Sequence, residues 1–122
     1  LRNWVDRDAV RGVFEQATVF AFPSLWAETL GIVGIEALAC GLPVAAFDTG
    51  ALNELVVGDA GRLVPYGSDL WKLEPPDIPA LAKASTEILR EQGRFRKTAR
   101  AQAEKALGLD KMVDAYLKFL FD

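Results

Sequence analysis

Hydrophobic and polar positions alternate in blocks that predict three buried strands separated by helices. The strands are expected at residues 18–22, 43–47 and 61–65, which are short apolar runs bounded by proline, glycine or aspartate. A nearly all-apolar helix at residues 30–40 separates the first two strands, and a short helix at about residues 51–57 separates the last two. Continuous apolar strands that alternate with helices are typical of a parallel sheet covered on both faces.

The chain on either side of this sheet is predicted to be largely helical. Residues 1–5 have the character of a short strand, and Asp6 or Asp8 is a suitable N-cap for a helix that ends near Gln16. A proline-containing loop is expected at residues 66–79, and residues 80–122 form a helical tail. Its helices are predicted at residues 78–91, 94–107 and 110–121. The expected apolar face of the first of these helices comprises Leu81, Ile88 and Leu89, and that of the last comprises Met112, Val113, Tyr116, Leu117 and Leu120.

The composition describes a folded domain and excludes several function classes. Of the 122 residues, 51% are hydrophobic and 25% are charged, which is typical of an ordered globular domain. The net charge of −3 provides no positive field for nucleic acid, so no nucleic-acid partner is expected. The chain has no histidine and one cysteine, Cys40, which excludes Ser-His and Cys-His catalysis and most zinc sites.

The location of the protein is inferred from what the sequence lacks. No run approaches the roughly 20 apolar residues of a membrane span, and the first residues do not resemble a signal peptide. We therefore expect a cytoplasmic protein. Since the chain does not begin with methionine, it is expected to be part of a longer protein.

Glu36 is the only formally charged residue between Thr29 and Phe47. It lies in the middle of the predicted apolar helix, where burial of an unpaired carboxylate would cost several kcal/mol. Glu36 is therefore expected to open onto a cleft or to meet fixed hydrogen-bond donors, unless it occupies the one exposed stripe of this helix. We predict that its carboxylate faces, together with Glu28, a groove at the carboxyl ends of the strands at residues 18–22 and 43–47. Gly31 and Gly34 are predicted in the first turns of the same helix, where each costs about 1 kcal/mol relative to alanine. Either tight packing or the approach of an anion to the helix start would explain them.

Glu28 precedes this helix. Glu36 lies eight positions after Glu28, which corresponds to about 12 Å along a helix axis. At that separation the two carboxylates cannot share a proton or a small metal ion. They are placed to accept hydrogen bonds from hydroxyl groups at the two ends of an extended ligand whose anionic centre rests on the helix start. A sugar, a diphosphate and a ribose provide these three parts in that order.

Three stretches together resemble the donor-site signature of the group 1 retaining glycosyltransferases, which have the two-domain GT-B fold. They are PSLWAETLG at residues 23–31, EALACGLPV at residues 36–44, and Gly50 with Glu54. They include the family's pair of glutamates separated by seven residues. The resemblance covers residues 3–65 and implies a three-layer, Rossmann-like α/β fold. The chain would be part of the carboxy-terminal, nucleotide-sugar-binding domain.

The resemblance also implies a role for each candidate residue. Glu28 would be the catalytic-site residue that contacts hydroxyl groups of the donor sugar. The backbone at Leu30, Gly31 and Ile32 would meet sugar or phosphate oxygens, and Glu36 would accept hydrogen bonds from both ribose hydroxyls. No cofactor or metal ion is implied, since the ligand is the substrate, a nucleotide diphosphate sugar.

Two departures from the family pattern affect the site. Ala51 stands where the family usually has a second glycine, and the alanine is expected to stiffen the turn that precedes Glu54. Glu54 itself is expected to be structural, as a charge that complements the dipole of the helix it begins. The family's Arg and Lys pair that neutralises the diphosphate lies upstream of this chain, and Arg2, Arg7 and Arg11 do not match it.

The expected function of the parent protein is transfer of a hexosyl group from a nucleotide diphosphate sugar to an acceptor. The acceptor would be a glycan, a lipid or a small molecule bound by an N-terminal domain, in the cytoplasm or at the cytoplasmic face of a membrane. A non-catalytic binding or interaction module of the same fold is the alternative. A nicotinamide-dependent oxidoreductase would need a Gly-x-Gly-x-x-Gly motif after a strand, and none is present. Self-association through an exposed sheet edge at residues 18–22 is also expected.

Overall fold

A computed structural model of the chain describes residues 5–121. Its parallel sheet contains β1 (Phe20–Phe22), β2 (Val44–Phe47) and β3 (Gly61–Val64), in that order across the sheet. The predicted parallel sheet is confirmed, and each strand is one or two residues shorter than expected. The strand predicted at residues 1–5 falls mostly outside the described residues, and Val5 belongs to no strand.

Helices flank the sheet and form the carboxy-terminal region. Their bounds are α1 (Arg7–Gln16), α2 (Ile32–Ala39), α3 (Leu52–Leu55), α4 (Ile78–Arg90), α5 (Gln92–Ala106) and α6 (Leu109–Phe121). Short 3-10 turns occur at Gly58–Ala60 and Leu70–Lys72. The second turn lies inside the predicted loop, because the carboxylate of Asp69 accepts hydrogen bonds from the N–H groups of Trp71 and Lys72.

β2 is the centre of the fold and is buried on both faces. Val44 and Ala46 face one core, which includes Leu38 of α2 and residues of α1, α3 and α5. Ala45 and Phe47 face the other core, together with Ile88 of α4. Because successive side chains of a strand point to opposite faces, one short strand serves both cores. The three-layer arrangement predicted from the sequence is therefore present.

The carboxy-terminal helices are present, but their burial differs from the predicted faces. α4 buries Leu81, Ala84 and Ile88, whereas Leu89 is 48% exposed. α6 carries the predicted apolar stripe but has no buried residue. Within residues 5–121, no helix combines the length and the apolar character needed to cross a bilayer.

Candidate functional site

The candidate site is built from the two segments that follow the carboxyl ends of β1 and β2. β1 leads into residues 23–31, here called the Glu28 loop, and β2 leads into a turn at residues 48–51. Ligands of open parallel sheets bind at this end of the strands. The Glu28 loop borders a hollow of about 380 Å³, which is lined by Phe22, Pro23, Ser24, Leu25, Trp26 and Glu28.

The carboxylate of Glu28 is held through one of its two oxygens. Oε1 accepts a hydrogen bond from Oγ of Ser24 at 2.6 Å and another from Nε1 of Trp26 at 3.0 Å. Among the described residues, Oε2 accepts no hydrogen bond. Ser24 and Trp26 lie inside the recognised motif, but nothing in the sequence alone shows that they bind Glu28.

The backbone of the Glu28 loop is anchored to the turn after β2. The carbonyl of Glu28 accepts a hydrogen bond from the N–H of Ala51 at 2.7 Å, and the carbonyl of Trp26 accepts one from the buried Thr49 hydroxyl at 3.4 Å. Gly50 has φ of +56°, and a Cβ there would lie 2.2 Å from the carbonyl oxygen of Glu28. Glycine is therefore required where the turn meets the loop.

α2 begins two residues later than predicted, so Leu30 and Gly31 precede the helix. Gly31 is its N-cap and has a left-handed backbone with φ of +68°. A Cβ on Gly31 would lie 2.9 Å from Cδ2 of Leu52 in α3. Gly34 is inside the helix, as predicted, but its Cβ would meet nothing closer than 4.0 Å. Tight packing therefore explains Gly31 and does not explain Gly34.

The first amide groups of α2 are available to a ligand. The N–H groups of Gly34 and Ile35 donate to the carbonyl of Gly31. In the part of the chain that the structure describes, the N–H groups of Ile32 and Val33 have no acceptor, and no side chain caps the helix. Unpaired amides and the helix dipole together favour an anion at this position.

Glu36 lies apart from Glu28, on the side of α2 that faces α1. Its side chain is 42% exposed, and its Oε1 is 3.9 Å from Nη2 of Arg7. It borders a separate hollow of about 250 Å³ together with Arg7, Val10 and Phe14. The expectation that both glutamates face one groove at the strand ends is therefore not met within this chain. Glu36 thus borders a cleft, but this cleft lies between α1 and α2 and not at the strand ends, and the proximity of Arg7 was not predicted.

A basic groove lies at the carboxyl end of α2. It has a volume of about 630 Å³, and its cationic lining residues are Arg11, Arg96, Lys97 and Arg100. Arg96 donates to the carbonyl of Ala17 at 2.7 Å, and Arg100 donates to the carbonyl of Ala39. A hydrogen bond to Glu15 raises the pKa of Arg11. Arg96 and Arg100 therefore bind carbonyl groups at the ends of α1 and α2, and Arg11 pairs with Glu15 within α1, so all three arginines have structural contacts.

Comparison with known sequences identifies the class of protein. Residues 1–91 match the family described as Glycosyl transferases group 1, and the chain belongs to this family. It is 34% identical over 109 residues to alpha-maltose-1-phosphate synthase of Mycolicibacterium smegmatis, which covers 88% of this chain and 27% of the relative. It is 33% identical over 107 residues to 2-deoxystreptamine N-acetyl-D-glucosaminyltransferase of Streptomyces fradiae, covering 87% of this chain and 23% of the relative.

A solved structure supports the same assignment. Sucrose-phosphate synthase from Thermosynechococcus elongatus superimposes with a TM-score of 0.76 and 28% sequence identity, over 98% of this chain and 29% of that chain. The fold is therefore the Rossmann-like, GT-B type that the sequence predicted. The chain spans about a quarter of the length of the curated relatives it matches.

Proposed function

We propose that this chain is the donor-binding part of a glycosyltransferase that moves a hexosyl group from a nucleotide diphosphate sugar to an acceptor. The observation that carries the proposal is the unpaired start of α2, next to a glutamate with one open oxygen. The N–H groups of Ile32 and Val33 suit a diphosphate, and Oε2 of Glu28 suits the hydroxyl group of an attached sugar.

Each predicted site residue has a distinct role in this proposal. Glu28 accepts a hydrogen bond from the donor sugar, and the backbone at Leu30, Gly31 and Ile32 holds the diphosphate. Glu36 accepts hydrogen bonds from the ribose hydroxyls. As the sugar leaves, negative charge grows on the diphosphate, and the preorganised N–H groups and dipole of α2 stabilise that charge. This part of the site therefore acts electrostatically, without acid–base chemistry between the two glutamates.

The names of the relatives support nucleotide sugars as the class of donor, but they do not single out one sugar. Besides the synthase and the N-acetylglucosaminyltransferase, the relatives include a GDP-mannose-dependent mannosyltransferase of Mycobacterium tuberculosis that is 33% identical over 100 residues. Different sugars are thus handled by proteins that share this segment. The acceptor, whether glycan, lipid or small molecule, would be bound outside this chain, and we place the reaction in the cytoplasm or at its membrane face.

The ribose role of Glu36 is tested by nucleotide affinity. In the protein that contains these 122 residues, Glu36→Ala is expected to weaken binding of UDP or GDP by about 1.5–3 kcal/mol, or roughly 10- to 150-fold, because hydrogen bonds to a charged acceptor are lost. Calorimetric titration measures the affinity. Asp114→Ala on exposed α6 removes one negative charge elsewhere and should leave the affinity unchanged. Equal affinity of Glu36→Ala and the parent would contradict this role, and failure to bind either nucleotide would favour a non-catalytic module.

A further inference from the structure

Two hydrogen-bond donors of the Glu28 loop converge on the same oxygen of Glu28. Ser24 and Trp26 lie four and two positions before Glu28, and both donate to its Oε1. A free glutamate side chain rotates about three bonds, so ordering it when a ligand binds costs conformational entropy. Two donors on one oxygen supply that order before any ligand arrives. The other oxygen, Oε2, remains an acceptor.

Burial alone does not explain why Trp26 is at this position. The side chain is 68% exposed, so its ring contributes little to either core of the domain. Its N–H group nevertheless turns back to the half-buried carboxylate of Glu28. Ser24 is half-buried on the same loop, and its hydroxyl makes the shorter of the two bonds. The Ser24 hydroxyl also lies 3.3 Å from the carbonyl oxygen of Trp26, but its contact with Glu28 is much the shorter, so the polar side-chain atoms of both residues meet at Glu28.

The loop that carries these donors is itself fixed. Ala51 and Thr49 bind the carbonyl groups of Glu28 and Trp26, and Gly50 packs against the backbone of Glu28. Loop and carboxylate are thus ordered by separate sets of contacts. A preorganised acceptor avoids the entropy that a mobile side chain loses when it binds a ligand.

We propose that Ser24 and Trp26 are positioning residues, which hold Glu28 so that its free oxygen accepts a hydrogen bond from a hydroxyl group of the donor sugar. This inference rests on the proposed function, since it assumes that Glu28 contacts the sugar. It adds that recognition of the sugar depends on two side chains that do not touch it. Ser24 and Trp26 should therefore affect binding of the sugar and leave binding of the nucleotide unchanged.

The test separates the sugar from the nucleotide. Affinities of the protein that contains this chain are measured by calorimetry for UDP-glucose against UDP, UDP-N-acetylglucosamine against UDP, and GDP-mannose against GDP. For each pair, the affinity ratio reports the contribution of the sugar, and the pair with the largest ratio is used. Glu28→Ala is expected to lower this ratio about 10-fold or more, as for a lost hydrogen bond to a charged group.

Single variants of the two donors should lower the same ratio by a smaller factor. Trp26→Phe keeps an aromatic ring and removes the N–H group, and Ser24→Ala removes the hydroxyl. Each is expected to reduce the ratio about 3- to 10-fold, with the affinity for the diphosphate unchanged. Trp71→Phe is the matched control, because Trp71 is an exposed tryptophan outside the Glu28 loop, and among the described residues its ring N–H donates no hydrogen bond.

The double variant Trp26→Phe/Glu28→Ala distinguishes positioning from general support of the fold. It should behave like Glu28→Ala alone, because without the carboxylate Trp26 has nothing to position. Additive effects would overturn the inference, as would equal losses of diphosphate and sugar-nucleotide affinity in Trp26→Phe. If Glu28→Ala lowers the ratio while Trp26→Phe and Ser24→Ala do not, only the positioning role fails. If Glu28→Ala has no effect, or no donor binds, the proposed function fails with it.

Discussion

At the residue scale, Gly50 and Gly58 have nearly the same backbone and very different surroundings. Their φ angles are +56° and +58°, so an alanine at either position would be strained by about 1–2 kcal/mol. A Cβ at Gly58 would meet no atom within 4 Å, whereas a Cβ at Gly50 would lie 2.2 Å from the carbonyl oxygen of Glu28. The pair therefore separates backbone strain from contact with the Glu28 loop.

We predict that Gly50→Ala destabilises the chain more than Gly58→Ala. Both variants should lose about 1–2 kcal/mol of unfolding free energy through strain, and Gly50→Ala should lose roughly 1–3 kcal/mol more because the Glu28 loop must move. Urea unfolding followed by circular dichroism measures both values. Equal losses of unfolding free energy in the two variants would mean that the Glu28 loop can move away from residue 50 without destabilising the chain, and that Gly50 does not anchor it.

Gly31 and Gly34 provide a second comparison within the same motif. Gly31→Ala should destabilise the chain by about 1–2 kcal/mol, since its backbone is left-handed and Leu52 leaves no room. Gly34→Ala should be neutral or stabilise by up to about 1 kcal/mol, because alanine favours the helix and its Cβ would meet only the Phe22 ring, at an ordinary contact distance of 4.0 Å. Thermal unfolding distinguishes the two. A destabilising Gly34→Ala would show that packing, and not ligand approach, accounts for Gly34.

The sequence motif named Glu28, Gly31 and Glu36 as candidate site residues but did not predict the partners of the two carboxylates. Ser24, Trp26 and Arg7 reach them through side-chain rotation and through the packing of α1 on α2, which depend on tertiary structure. Neither the side-chain rotamers nor the packing of α1 on α2 can be predicted from hydrophobic periodicity or motif spacing. The side of α2 on which Glu36 lies also depends on tertiary packing, and because α2 begins at Ile32 and not at residue 30, Glu28 and Glu36 are not joined by one continuous helix.

At the element scale, periodicity predicted which segments are helical better than which faces are buried. α4 and α6 both show a clear apolar stripe, yet α4 buries its stripe against the sheet and α6 buries nothing. The two helices differ because α4 packs on β2 and β3. The local hydrophobic pattern of a helix does not show which element it packs against. The strands were more predictable, since a run such as residues 44–47 has no polar face to expose.

We predict that α6 adds little to the stability of this chain. Leu117→Ala on its exposed stripe should change the free energy of unfolding by less than about 0.5 kcal/mol. Leu38→Ala in α2, which is fully buried, should cost about 2–5 kcal/mol. The same deletion of a leucine side chain is thus compared in two helices by denaturant unfolding. A large loss from Leu117→Ala would show that α6 packs on the domain in solution.

At the scale of the whole molecule, β1 is an edge of the sheet. In the strand order β1-β2-β3, only β2 pairs with β1 among the described residues. Its sequence, Phe20-Ala21-Phe22, carries none of the charges or prolines that protect natural edge strands. Within residues 5–121, the outer edge of β1 therefore has no pairing strand, as the sequence led us to expect.

We predict that the chain self-associates along β1 at micromolar concentration. Sedimentation velocity should show a dimer or larger species for the parent chain, and Ala21→Lys, which places a charge on the exposed edge residue, should shift it towards monomer. Leu117→Lys introduces the same charge on exposed α6 and should leave the association unchanged. A monomeric parent, or dissociation by Leu117→Lys alone, would contradict association through β1.

In the proposed function, the diphosphate of the donor lies at the start of α2, and the basic groove at the other end of this helix has a structural role. Amide chemical shifts, recorded by NMR during titration with UDP or GDP, compare the two places in one measurement. We predict that the largest shifts occur at the N–H groups of Gly31, Ile32 and Val33, whose amides would meet the phosphate oxygens. Shifts concentrated at Lys97 and Arg100, with residues 31–33 unchanged, would contradict the account.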